Sequence, residues 1–250
     1  MAVRSESELI EEIERLHAEL NRREREASGK ERQLERYAAD LRETFKQERA
    51  RSLQLRRSYM ATVRALANAV EARDAYTGQH AERVTAYGME IARVLGGALS
   101  STRDIEFGFL LHDIGKVAIP DAILYKPAAL TDKERALMAQ HPVIGAHILR
   151  GIEFLGEASQ VVRHHHERWD GHGYPDGLAG AEIPLAARVF AVADVLDALT
   201  TERPYRHASP LSVARETIAA EAGKQFDPSV IQAFNSIDDA TLARISISRR

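Results

Sequence analysis

The first 57 residues contain no proline, one glycine (Gly29) and closely interspersed Glu and Arg, as in EEIERLHAELNRREREASGKERQLERYAAD. A stretch this charged cannot bury a globular core by itself, and with nothing to break it, it reads as helix. Ile13, Leu16, Leu20, Ala27, Leu34, Tyr37, Leu41 and Phe45 follow a three-four spacing that sets them on one helical stripe. Two copies side by side would cover that stripe, so a parallel homodimer through residues 8 to 57 is expected. The repeat is imperfect at Ser28-Gly29 and shifts phase near Phe45, which implies a short or interrupted coiled coil. The plain alternative is a single solvated helix. Residues 1–57 are therefore expected to form a charged helical segment that feeds a signal into a separate domain at 58–250.

That second region has the texture of a packed domain. The whole chain of 250 residues is 44% hydrophobic, with 15 glycines and 8 prolines, which excludes disorder throughout and a collagen-like repeat. Cysteine is absent, so there is no disulfide, thiolate nucleophile or Cys-based zinc site, and any metal must be held by imidazole and carboxylate. A net charge of -3 creates no general field for polyanions, and no local basic patch suggests a nucleic-acid polymer as partner. The amino terminus lacks an apolar signal region, and no window approaches the roughly 20 apolar residues needed to span a bilayer. The expected compartment is the cytoplasm.

Helical periodicity dominates from Tyr59 onward. Val63, Leu66 and Val70 share a face in SYMATVRALANAVEARD, as do Val84, Tyr87, Ile91 and Leu95 in the next segment. Ser101 is a candidate cap, Thr131 with Glu134 reads as a capping box, and Pro142 fits a first helical turn. IPLAARVFAVADVLDALT is apolar on most faces and is expected to be a buried helix, and another starts at Ser209-Pro210 and ends at Gly223. Alternating strand patterns are scarce, so the fold class is all-α. One long irregular stretch, Trp169 to Pro184, collects glycines and two prolines, and a loop of that length in a helical domain is usually functional.

The histidines are not scattered evenly. His112-Asp113 falls at a helix end, where both side chains can reach an ion off that end, and the aspartate can bridge two cations. A buried, satisfied histidine is the bland alternative. Asp194 lies within an apolar helix after Phe190, Ala191, Val192 and Ala193, where an unpaired carboxylate would be costly, so something positive is expected opposite it. His165 and His166 can both face an ion if the backbone turns at Gly171 and Gly173. His164 is assigned a structural or surface role. His80, His112, His141, His165 and His166 with Asp113 and Asp194 exceed what one ion can use, whereas two ions sharing Asp113 accommodate them. Paired metals suit in-line displacement at phosphorus, which predicts phosphoester hydrolysis.

Taken together, HAERV, HDIGKVAIP, HPVIGAHIL, HHERWDGHGYPDG, VADVLDALTTERPYR and GKQFDPSVIQAF, running in order from Ser58 to Phe234, resemble the HD-GYP family. These are HD-superfamily phosphodiesterases acting on cyclic di-GMP. The resemblance implies an all-helical bundle with a binuclear or trinuclear centre, commonly of iron or manganese. It carries the metal-ligand roles onto His80, His112, Asp113, His141, His165, His166 and Asp194, and the phosphate-contacting lysine onto Lys116. The motif tyrosine falls on Tyr174, and basic residues for guanine and phosphate fall on Arg203 and Arg206.

Members with three metals have a glutamate four residues before the first histidine ligand, and here that position is Tyr76. Two divalent ions, iron or manganese, are therefore expected. The division implied is His80, His112 and Asp194 on one ion, His141, His165 and His166 on the other, with Asp113 and a hydroxide bridging. The bridging hydroxide would attack phosphorus and release pGpG, and further cleavage would yield GMP. Catalysis would then centre on Asp113 and Lys116.

Several residues keep two readings. Lys116 either neutralises a nonbridging phosphate oxygen or is a cation at a helix end. Arg203 and Arg206 hold phosphate or guanine, or are surface arginines. Asp197 suits an acceptor for a ligand histidine, and Glu167 suits the same task or a capping one. The Gly-Tyr-Pro turn is also implicated in the family in contacts with GGDEF-type partners. Two other functions remain in view: a cyclic-dinucleotide receptor or scaffold of little activity, signalling through its coiled coil, and an HD phosphohydrolase for another nucleotide.

Overall fold

A computed structural model describes residues 6–73, 79–97, 99, 104–202 and 207–248. The expectations that fall on Tyr76, Ser101, Arg203 and Arg206 lie outside them. The chain divides into two units, Met1–Tyr59 and Met60–Arg250.

Helix α1 runs Glu6–Glu71 without interruption, through Ser28-Gly29 and through the junction at residues 57–60. The helix passes Ser28-Gly29 because glycine costs a helix only about 1 kcal/mol and nothing nearby supplies a stop. In the first unit the stripe is open, with Leu16, Leu20, Leu34, Tyr37, Leu41 and Phe45 all exposed. In the second unit the end of α1 buries Val63, Ala67 and Val70, whereas Leu66 is exposed. The buried spacing is thus i, i+4, i+7, with Ala67 where Leu66 was expected, because alanine lets the helix approach its neighbours closely.

The helices that follow are α2 (His80–Leu95), α3 (Asp104–Leu110), α4 (Asp121–Leu124), α5 (Asp132–Met138), α6 (His141–Leu149), α7 (Gly156–His164), α8 (Leu185–Thr200), α9 (Leu211–Ala220), α10 (Pro228–Asn235) and α11 (Asp239–Ser248). Short 3-10 turns occupy Ile114–Ala118, Glu153–Leu155 and Gly180–Glu182. Among the described residues β structure is limited to one isolated bridge between Ala222 and Phe226. The local signals operate as chemistry requires. Thr131 and Glu134 form a reciprocal capping box at α5, Pro142 lies in the first turn of α6, and the Asp227 carboxylate accepts from Ser229 N at 2.7 Å to open α10.

Two apolar clusters make the core of the second unit. The larger joins α2, α8, α9, α10 and α11 around Phe190, Ile91, Val230 and Phe234; the smaller joins the end of α1 to α3 and α7 around Leu110, Leu111 and Val162. Helix α3 serves both, sending Phe109 into the larger and Leu110 into the smaller. Removing a fully buried ring such as Phe190 would cost about 3–5 kcal/mol. Because both clusters grip α3, the residues that emerge from its C-terminal end, His112 and Asp113, are placed rigidly. Among the described residues no helix is long and apolar enough to cross a membrane.

Candidate metal centre

Three histidines are oriented in the same way. Nδ1 of His112 lies 2.9 Å from Phe109 O, Nδ1 of His141 lies 2.8 Å from Met138 O, and Nδ1 of His165 lies 2.8 Å from Val162 O. Each partner is the carbonyl three residues earlier, at the end of a helical turn. A carbonyl only accepts, so each Nδ1 carries the proton and each Nε2 is left with its lone pair. All three rings are buried.

Those lone pairs converge. His141 Nε2 and His165 Nε2 are 3.3 Å apart, and His141, His165 and His166 each offer a ligand atom within 4.8 Å of the others. Two bare lone pairs facing each other in a buried place repel unless a cation is shared. Nitrogens bonded at about 2.1 Å to one ion lie about 3.0–3.4 Å apart at octahedral or tetrahedral angles, so the observed separation fits a shared metal. The donor set, imidazole with carboxylate and no sulfur, suits a borderline divalent ion.

Asp113 links this trio to the rest. Its Oδ1 is 3.3 Å from His141 Nε2, while Oδ2 is 3.1 Å from His112 Nε2 and 2.8 Å from Lys116 Nζ. Burial would raise its pKa, but His112, Lys116 and His141 outweigh that and hold the carboxyl well below its usual range. The register of this segment is set by Gly115: a Cβ there would stand 1.9 Å from His141 O, so only glycine lets the Asp113–Lys116 turn lie on the start of α6.

His80 opens α2 on the other side, its ring 5.4 Å from that of His112. Nδ1 lies 2.7 Å from Asp197 Oδ2, which leaves Nε2 facing Asp194 Oδ1 at 3.5 Å. Asp197 is 1% exposed and is held in turn by Arg83, with Nε donating at 2.6 Å and Nη2 at 3.1 Å. Asp194 keeps 31% of its side-chain surface with His80 opposite it, while the buried carboxylate of α8 is Asp197. One helical turn separates them, enough to bury one against His80 and Arg83 and to leave the other partly open beside His80. Asp197 is the hydrogen-bond acceptor for His80 that its position suggested.

The two sides titrate in opposite directions. Burial tends to lower the pKa of His80, but its hydrogen bond to Asp197 and the charges of Asp194, Asp197 and Asp113 raise it above the usual imidazole value. Burial lowers His141, and burial with the neighbouring imidazoles lowers His165 strongly and His166 to about 3. The trio therefore stays neutral, the state a metal ligand requires.

The irregular stretch beyond His166 folds back over it. The Tyr174 ring stacks on His166 with centroids 4.8 Å apart, and Tyr174 N donates to His166 O at 3.3 Å. Burial and the charge of Asp113 push the Tyr174 phenol up to about 12, so it stays protonated. Glu167 Oε1 accepts from Asp176 N at 2.8 Å and Gly177 N at 3.1 Å, so of its two readings the capping one is realised. Gly173 is required because a Cβ there would come within 2.5 Å of Glu167 Cα. His164 is structural, tied to Gln160 O at 2.9 Å and to Asp176 Oδ2 at 3.0 Å.

The structure thus brings His80, His112, Asp113, His141, His165, His166, Asp194, Lys116 and Tyr174 to one place. Arg83 and Phe190 were not anticipated there. Arg83 holds a carboxylate 114 positions away, and Phe190 packs on the His112 ring at 4.7 Å. Arg83 stands three residues after His80 in HAERV, but nothing local in that motif names its partner.

Comparison with known proteins agrees with this geometry. The family model described as HD domain matches residues 64–230. A cyclic di-GMP phosphodiesterase response regulator of Xanthomonas campestris, RpfG, is 44% identical over 69% of this chain and 46% of its own length. A cyclic di-GMP phosphodiesterase of Thermotoga maritima is 42% identical over 67% of this chain and 46% of its own, and a 3'3'-cGAMP-specific phosphodiesterase of Vibrio cholerae is 41% identical over 71% and 34%. The chain thus spans less than half the length of these curated relatives. Among solved structures, a cyclic GMP-AMP specific phosphodiesterase of Vibrio cholerae superposes with a TM-score of 0.58 at 22% identity, over 76% of this chain and 52% of that one, which shows the all-α fold. With a family match across most of the second unit and relatives above 40% identity over the same stretch, the chain belongs to the HD-domain family and is of its HD-GYP type.

Proposed function

We propose that the chain is a metal-dependent phosphodiesterase that hydrolyses cyclic di-GMP to pGpG, with further cleavage yielding GMP. The observation that carries this reading is the 3.3 Å approach of two unprotonated imidazole nitrogens, His141 Nε2 and His165 Nε2, beside the Asp113 carboxylate. His141, His165 and His166 would hold one divalent ion, His80, His112 and Asp194 a second, and Asp113 would serve both, with iron or manganese as the metals. Bound there, such a pair supplies Lewis-acid polarisation of phosphoryl oxygens and eases deprotonation of water.

The chain's own residues do the rest. Asp197 and the carbonyls of Phe109, Met138 and Val162 orient four ligand imidazoles with Nε2 toward the centre, and His80, whose pKa is raised, would give up a proton on binding an ion. Lys116 Nζ, 2.8 Å from Asp113, places a mobile cation beside the bridging carboxylate, where it can turn to a nonbridging phosphate oxygen. Tyr174, protonated and stacked on His166, offers a hydroxyl donor beside that candidate ligand. Arg203 and Arg206 are proposed to contact phosphate and guanine by resemblance alone. Hydrolysis adds the elements of water across one P–O bond, so the 3'-oxygen leaves with the proton and no protein nucleophile is needed.

A second substrate is favoured by a specific observation: a 3'3'-cGAMP-specific relative is as similar as the cyclic di-GMP enzymes. Anaerobic, manganese- or iron-loaded protein incubated separately with each dinucleotide, with products resolved by anion exchange, tests both. Turnover of cyclic di-GMP is expected. Faster turnover of 3'3'-cGAMP would transfer the assignment to it, and stoichiometric metal with no hydrolysis of either would replace the enzyme by a receptor. The open stripe of residues 8–57 is proposed to pair two copies in parallel, and a monomeric mass by light scattering at micromolar concentration would contradict that.

A further inference from the structure

Helix α2 begins without a cap of its own. Gln79, the residue before it, has a left-handed backbone at φ 60° and makes no side-chain hydrogen bond to the first turn. The missing acceptor comes from α1: Glu71 Oε1 accepts from the N–H of Ala81, the residue after His80. A carboxylate there satisfies an orphan amide and sits favourably at the positive end of the helix dipole. Two residues later, Arg73 Nη1 donates to Val117 O at 2.7 Å and Nη2 meets Asp121 Oδ1 at 2.5 Å. Val117 directly follows Lys116 in the 3-10 turn that leaves Asp113. About two turns upstream of Glu71, Arg64 reaches Glu82 of α2 at 3.3 Å and Glu106 of α3 at 3.5 Å. Ala67, Val70 and Glu71 line the same cavity as His80, His112, Asp113 and Lys116.

The end of α1 therefore grips, by separate hydrogen bonds, the two pieces of chain that approach the candidate centre from opposite sides. We propose that Glu71 and Arg73 are positioning residues: Glu71 fixes the backbone that presents His80, Arg73 fixes the turn that presents Asp113 and Lys116, and together they set the spacing across the metal centre. The proposal rests on the metal-centre reading above. Neither residue needs to touch metal or substrate; each acts through a residue that does. Outer partners of ligands commonly change metal affinity by about 10- to 100-fold, and a misplacement of about 1 Å at a reacting centre can cost about 100-fold in rate.

The test uses the full chain, stripped with chelator and titrated with Mn2+, the free ion being followed by electron paramagnetic resonance. Glu71→Ala is expected to weaken Mn2+ binding about tenfold or more, and Glu71→Gln, whose amide oxygen can still accept from Ala81 N, to recover most of the loss. Arg73→Ala, a change at a half-exposed side chain, is expected to weaken binding less, and at saturating Mn2+ to lower kcat while leaving KM near its original value. Circular dichroism checks helix content; should Glu71→Ala not fold, the Gln and Arg73 variants decide. Wild-type affinity in both Glu71→Ala and Arg73→Ala overturns the clamp. So does a Glu71→Gln variant as weak as Glu71→Ala, since the negative charge itself would then be what matters. Failure of the unmodified protein to bind Mn2+ removes the metal-centre reading first, a result separable from failure of the clamp alone.

Discussion

The two halves of the histidine cluster are stabilised by opposite means. On the His80 side, carboxylates and a guanidinium surround a ring whose pKa is raised; Asp197 and Arg83 form a buried ion pair behind it. On the His141, His165 and His166 side, the rings lie against one another and burial lowers their pKa values, with backbone carbonyls as the partners of His141 and His165. One half is organised by charge, the other by helix ends. Asp113 touches both, through His112 on one oxygen and His141 on the other. The lesson is that an imidazole can be oriented by a carboxylate, which also favours its protonated form, or by a backbone carbonyl in a buried site that keeps it neutral.

Breaking the link between the halves should have the largest effect. Asp113→Ala is expected to bring hydrolysis to background and to lower bound metal on both sides, measured by product formation and elemental analysis. Loss of metal from one half only would show that the halves are independent. Next, Arg83→Ala leaves the Asp197 carboxylate buried and short of a partner, with an expected loss of about 3–5 kcal/mol in denaturant unfolding. An equivalent deletion on the other side, His166→Ala, should cost less stability while still removing metal, because no buried charge is stranded there.

Acid should separate the halves more gently. For His165 and His166 the folded pKa lies below the unfolded one, so below about 6.5 the unfolded chain binds more protons and metal-free protein loses stability as pH falls, down toward about 3 for His166. For His80 the shift is upward, so its contribution is complete below about 6.5 and is lost as pH rises through its folded pKa. Melting of chelated wild type and His166→Ala across pH 4 to 8 should show the acid-side slope reduced in the variant; identical slopes would dismiss the burial account. The smallest effect is expected at Tyr174→Phe, which keeps the stack on His166 and removes only the hydroxyl. Its KM should rise modestly, whereas Tyr174→Ala should also disturb the loop, as read by proteolysis.

Much of this was legible along the chain because the signals were local. Capping at Thr131, the first-turn Pro142 and the apolar run of α8 each act within a few residues, and helix follows from them. His112-Asp113 and His165-His166 were recognisable as ligand material for the same reason, being neighbours at helix ends. The reading of Asp194 was incomplete because burial of a side chain on an apolar helix depends on what packs opposite it. Phe190 and Leu196 of that helix meet core, Asp197 meets Arg83, and Asp194, partly open, meets His80. The change near residue 57 is one of composition and burial, while helix α1 itself runs on to Glu71.

By itself, the order of residues determined an all-α chain with a charged leading helix, and it supplied imidazoles and carboxylates, without cysteine, for any metal. Only the tertiary structure decided that Asp197, and not Asp194, is the buried carboxylate, that Arg83 braces it, and that Glu71 and Arg73 reach the two sides of the centre. The physical reason is range. Helix formation and capping are settled over three or four residues, whereas the partner of a buried charge is chosen by packing between segments more than a hundred residues apart.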